Sequence, residues 1–101
     1  MRKELILRRL IILPAARDDL ADIADFIAQD NPTRALSFLE EIELRLRSTT
    51  ERPESFPARN NLATGLRCAR HGKYLIFFLH TDEEVRIVRI LHGLRDLAAE
   101  L

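Results

Sequence analysis

The dipeptide Asn31-Pro32 constrains this chain more than any other feature, because it interrupts two stretches that both carry helical periodicity. The residue before a proline is pushed out of the α region, and proline itself sits well only in the first turn of a helix. The first stretch therefore ends at Asn31, which can cap a second helix that begins at Pro32. Upstream, Pro14 suits an early helical position. Ala16, Leu20, Ile23, Ala24 and Ile27 then recur at helical spacing, with Asp18, Asp22, Asp25 and Gln29 on the opposite side. Downstream, Ala35, Phe38, Leu39, Ile42 and Leu46 line one stripe, while Glu40, Glu43 and Arg47 face away. Two amphipathic helices joined at such a break form a tight hairpin. Each large apolar side chain of the stripes gains about 1.5–3 kcal/mol on burial, so both helices need a sheet to pack on.

The remaining segments supply that sheet. Leu10 to Leu13 is a short β-compatible run that stops at Pro14, with Leu5 to Leu7 as an extension across Arg8 and Arg9. From Glu51 to Thr64 two prolines and two adjacent asparagines mark a crossing loop. The periodicity then changes: Leu66 to His71, Tyr74 to His80 and Glu84 to His92 read as three strands, joined by His71-Gly72-Lys73 and Thr81-Asp82-Glu83. The run Tyr-Leu-Ile-Phe-Phe-Leu from Tyr74 to Leu79 is apolar on both faces, as expected of a central strand covered on both sides. A short C-terminal tail adds a helical turn. The order β-α-α-β-β-β predicts an α+β fold, a helical hairpin packed on a small, mainly antiparallel sheet, in one domain spanning residues 1–101.

Composition narrows the function classes. Apolar residues make up 47% of the chain and charged residues 32%, a globular balance. Sixteen basic and sixteen acidic side chains cancel, so long-range attraction to nucleic acid or an anionic membrane is weak, and direct DNA binding by the free protein is not expected. Cys68 is the lone cysteine and can form no intramolecular disulfide. The N-terminal apolar run is broken by Arg8 and Arg9, a poor secretion signal and too short to span a bilayer. A cytoplasmic location is the expectation. No metal site is expected, because Cys68 and His71 offer two ligands and neither His80 nor His92 completes a recognisable spacing. Three glycines form no phosphate loop, and no Gly-x-Ser-x-Gly elbow is present, so no cofactor is implied.

Charge is neutral overall but uneven along the chain. No Asp or Glu lies between Glu54 and Asp82, whereas Arg59, Arg67, Arg70 and Lys73 do, and Arg86, Arg89 and Arg95 follow. If the last three strands are neighbours, these cations can gather on one face or edge of the sheet. Arginine outnumbers lysine fourteen to two, which suits bidentate pairing with carboxylate or phosphate. Arg67, Arg70, Lys73, Arg86, Arg89, His92 and Arg95 are therefore the candidate target-binding surface. The alternative for each is a solvated strand position or an internal partner for Asp18, Asp22 or Asp25.

Four segments taken in order resemble the ParE toxin family of the RelE/ParE superfamily of type II toxin–antitoxin systems. They are PAARDDLADIADFIAQDNPTRA, GLR from Gly65 to Arg67, GKYLIFF from Gly72 to Phe78, and VRIVRILHGLRD from Val85 to Asp96. The resemblance places the core at about residues 10–96. Phe26 departs from it where a tyrosine is common, and Phe56-Pro57-Ala58 where a glycine often follows the proline. The resemblance implies a toxin that inhibits DNA gyrase without being a catalyst and is neutralised by a cognate ParD-like antitoxin.

The RelE branch of the same superfamily cleaves messenger RNA on the ribosome, which requires 2′-hydroxyl activation, phosphate-charge stabilisation and leaving-group protonation. Here the tail after the last strand, GLRDLAAEL, has neither tyrosine nor histidine, and Tyr74 begins the middle strand. His92 is the one candidate general acid or base, and the nuclease constellation is incomplete. The expectation is a non-catalytic gyrase inhibitor; the alternatives are a RelE-type ribosome-dependent ribonuclease and a non-toxic remnant that keeps only antitoxin binding. In each case a groove between hairpin and sheet would accept an amphipathic antitoxin segment, whose acidic tail would complement the arginines.

Overall fold

The computed structural model describes residues 8–101, and the suggested strand extension at Leu5 to Leu7 lies outside them. The elements run β1 (Arg9–Ile12), α1 (Pro14–Asp30), α2 (Pro32–Ser48), a single 3-10 turn (Pro53–Ser55), β2 (Arg67–His71), β3 (Tyr74–His80), β4 (Glu84–His92) and α3 (Leu97–Glu100). The fold is α+β, as the alternation of periodicities predicts. β1 and β2 each start one residue away from their expected first residue, because Arg9 and Arg67 mark where ladder pairing begins.

Asn31 makes the helical hairpin. Its backbone is extended, at φ −154° and ψ 91°, and its N–H closes α1 on the Ile27 carbonyl at 2.9 Å. Its side-chain oxygen accepts the Arg34 N–H at 3.0 Å and so caps α2. One residue thus ends one helix and starts the next, with Pro32 in the first turn where its missing N–H costs no bond.

The sheet has the order β1-β4-β3-β2, with β1 parallel to β4 and the other pairings antiparallel. Gly72, at φ +57°, opens the two-residue turn between His71 and Tyr74, a conformation that needs no side chain. A core lies on each face. On the helical side Ala16, Phe38, Ile42 and Leu46 meet Ala69, Ile76, Phe78, Val85, Ile87 and Ile90. On the other side Leu66, Cys68, Leu75, Phe77 and Leu91 are roofed by Leu62 from the crossing loop and Leu97 from α3. Phe77 and Phe78, adjacent in sequence, are each fully buried in opposite cores. β3 is therefore a central strand with two apolar faces, as its composition requires.

The β3–β4 ladder slips between Phe77 and Phe78, which pair with Arg89 and Ile87 and leave Val88 as an extra residue in β4. The bulge puts Ile87 and Ile90, three residues apart, on the same helical face.

Candidate functional site

β1 pairs with β4 only as far as Ile87, so beyond the bulge one edge of β4 has no strand beside it. Helix α1 closes that edge through Asp19. One carboxylate oxygen accepts from Arg89 Nε at 2.8 Å and from the Ile90 backbone N–H at 2.9 Å, and the other accepts from Arg89 Nη2 at 2.9 Å. The third arm of the guanidinium, Nη1, donates to the Glu100 carbonyl at 2.7 Å and fastens α3. The Asp19 carboxylate, chiefly through its hydrogen bonds, raises the Arg89 pKa above its ordinary value. Asp19, rather than Asp18, Asp22 or Asp25, is the helical acid that meets a strand arginine.

A cleft of about 410 Å³ opens beside this pair, lined among others by Asp22, Phe26, Tyr74, His92 and Arg95. Tyr74 stands edge-on to His92 at 5.6 Å and to Phe38 at 5.5 Å. His92 Nδ1 accepts the Leu94 N–H at 3.1 Å, which leaves Nε2 as the protonated nitrogen of the neutral ring. Arg95 is held by Glu100 at 2.6 Å. Both arginines that border the histidine cleft thus carry a carboxylate of their own.

The seven residues selected from sequence do not form one patch. Arg67 Nη1 donates to the Phe56 carbonyl at 2.7 Å, beside the helical core. Arg86 pairs with Glu84 at 3.1 Å at the start of β4, remote along the strand from His92. Arg89 and Arg95 turn to the free edge of β4 and to α3. Arg70 and Lys73 remain together at the β2–β3 turn, and with His92, Gly93 and Leu94 they line a second pocket of about 420 Å³. Among the described residues neither Arg70 nor Lys73 forms an ion pair with a carboxylate. No group of three His, Cys, Asp or Glu among the described residues could hold a metal ion, and no described helix is long and apolar enough to cross a membrane.

Between the hairpin and β1, Ile12, Leu20, Leu39, Ile42 and Leu46, together with Glu40 and Glu43, line a mainly apolar groove of about 320 Å³. β1 forms its rim as an edge strand. Its Arg9 and Leu13 N–H groups bond to the Glu83 and Ile87 carbonyls, so alternation turns those of Leu10 and Ile12 away from β4.

The family described as the ParE toxin of the type II toxin–antitoxin system, parDE, matches residues 10–97. The chain belongs to the ParE toxin family. Among solved structures it is similar to a chain of the chromosomal ParDE TA system from P. aeruginosa. The TM-score is 0.73 at 20% identity, covering 85% of this chain and 96% of that one, which is a likeness of fold. It is also similar to a chain of the toxin–antitoxin complex RelBE2 from Mycobacterium tuberculosis, with TM-score 0.60, 25% identity, and 90% and 97% of the two chains covered. No curated protein matches this chain.

In this ParE-family toxin, sequence reasoning missed Asp19, the roof over the second core and the bulge. The bulge alone leaves a signal: apolar residues at Val85, Ile87, Val88, Ile90 and Leu91 change phase halfway along one strand. The partnership of Asp19 with Arg89 spans seventy residues and has no local signature.

Proposed function

We propose that this ParE-type toxin inhibits DNA gyrase by binding rather than by catalysis, and that a cognate antitoxin neutralises it. The observation that carries the non-catalytic half is the pairing of both cleft arginines. RNA cleavage would need a cation free to stabilise the charge that develops on phosphate, next to an acid–base group. In the cleft that Tyr74 and His92 share, those positions are occupied by the Arg89–Asp19 and Arg95–Glu100 pairs, while the unpaired Arg70 and Lys73 line the other pocket at His92, to which Tyr74 does not contribute. His92 itself accepts a backbone N–H and stands edge-on to Tyr74, an arrangement that fits a structural role. Membership of the ParE toxin family supports gyrase as the target. Purified gyrase should lose supercoiling activity, or accumulate cleaved DNA, when the free protein is added; full activity at molar excess would count against the proposal.

The antitoxin is assigned to the apolar groove between hairpin and β1. Leu20 and Leu39 supply a surface for an amphipathic helix, and the outward backbone groups of Leu10 and Ile12 supply one for an added strand. The ParDE and RelBE2 neighbours are both toxin–antitoxin systems, which supports a partner of this kind.

One observation favours a ribonuclease as the second reading: Tyr74 and His92 share a cleft with two arginines. Cleavage of messenger RNA in a translating extract, abolished by His92→Ala, would establish that reading in place of the first.

A further inference from the structure

We propose that the tip of the β2–β3 hairpin, together with the turn after β4, is a docking site for an acidic protein segment that carries an apolar recess, with Leu94 as its anchor. The inference rests on the toxin acting by binding a protein target, and it names the part of the molecule that does so.

Four observations converge there. Leu94 is 91% exposed, the most exposed large apolar side chain among the described residues. It stands at the mouth of the pocket shared by Arg70, Lys73 and His92, whose lining contains no carboxylate. Arg67, Arg70 and Lys73 have no acidic partner among the described residues, but Arg67 is turned to the Phe56 carbonyl, so Arg70 and Lys73 are the two unpaired charges at this pocket, whereas Arg86, Arg89 and Arg95 are neutralised by Glu84, Asp19 and Glu100. The turn is also held in shape. Gly93 N–H donates to the Lys73 carbonyl at 2.9 Å, Leu94 N–H to His92 Nδ1 at 3.1 Å, and Arg95 N–H to the His92 carbonyl at 3.0 Å.

A side chain fully in water on a turn fastened by three hydrogen bonds is displayed in one place, so little ordering entropy is lost when a partner covers it. An apolar anchor ringed by cations complements an apolar hole rimmed by Asp or Glu. Nucleic acid fits less well. Exposed leucine offers no stacking plane, and the two cations of this pocket, in a protein of zero net charge, give a weak field for a polyanion.

Amide shifts of the isotope-labelled full-length protein test this during titration with two probes, a short peptide of alternating glutamate and leucine and a short duplex DNA. The peptide should move the signals of Arg70, Lys73, Gly93 and Leu94 first. Arg70→Glu with Lys73→Glu should weaken it about tenfold, as should Leu94→Ser, with the rest of the spectrum unchanged as the control for folding. Shifts elsewhere, unchanged affinity in both variants, or equal movement with duplex DNA would overturn the assignment. The same variants are then tested against purified gyrase. Peptide binding at the patch without gyrase binding keeps the site and removes gyrase as target; gyrase binding that both variants leave intact removes the site and keeps gyrase.

Discussion

Arg89 and Asp19 meet as a two-pronged ion pair across seventy residues of chain, at 2.8 and 2.9 Å, with 22% and 12% of their side chains exposed. The same carboxylate satisfies the Ile90 N–H at the edge that β1 leaves unpaired. The pair therefore joins helix α1, the bulged end of β4 and the C-terminal turn, and it neutralises a charge that borders the His92 cleft.

Asp19→Ala is expected to lower stability by about 1–3 kcal/mol, since it strands both a guanidinium and a backbone N–H in a largely covered site. A urea-denaturation double-mutant cycle with Arg89→Ala should return a coupling of about 0.5–3 kcal/mol. Additive losses would show that the two side chains do not act together.

Asn31→Ala should cost about 1 kcal/mol, because the Arg34 N–H loses its acceptor at the start of α2. Asn31→Asp should retain most of the stability, as aspartate caps equally well. The thermal midpoints of the two variants distinguish a capping role from a requirement for asparagine at that backbone position.

Stability should fall on acidification, with two carboxylates taking part, the exposed Glu41 and the more covered Glu84. Hydrogen bonds from Arg34 hold the Glu41 carboxyl below its ordinary value of 4.5, and hydrogen bonds from Arg86 do the same for Glu84. A folded-state pKa below the unfolded one gives stabilisation that is complete above the unfolded value and is lost as pH drops through the folded value. Denaturation midpoints measured downward from neutral pH should decline more gently in the Glu41→Gln, Glu84→Gln double variant, and salt should shrink the Glu41 part of the difference because that pair faces water. Parallel curves would exclude a contribution from these pairs.

Cys68 should react slowly with a thiol reagent in the native protein. Burial in the second core raises its pKa above the ordinary thiol value, despite the opposing charges of Arg59 and Arg70, so little thiolate is present near neutral pH. Labelling should accelerate sharply in denaturant. Equal rates in native and unfolded protein would place the thiol outside the core.

The helical hairpin was legible in the sequence because its determinants are local. Proline geometry, a capping asparagine and two apolar stripes act within a few residues of each other, and each points to the same break at Asn31. The double-faced character of β3 was legible for a similar reason, since a run with no polar alternation has no face to give to water. The candidate surface was legible only as a list of cations.

Sequence by itself determined where helices and strands form, that they need one another for burial, and that acid is scarce along the chain from Glu54 to Asp82. Tertiary structure decided which cations keep their charge available. For Arg89 that choice depends on a single extra residue in β4 and on the edge left open beyond β1, which bring it to Asp19; Arg70 and Lys73, on β2 and its turn, meet no carboxylate beside Leu94. Ion pairing follows distances of a few ångströms between side chains far apart in the chain, and no pattern of neighbouring residues encodes those distances.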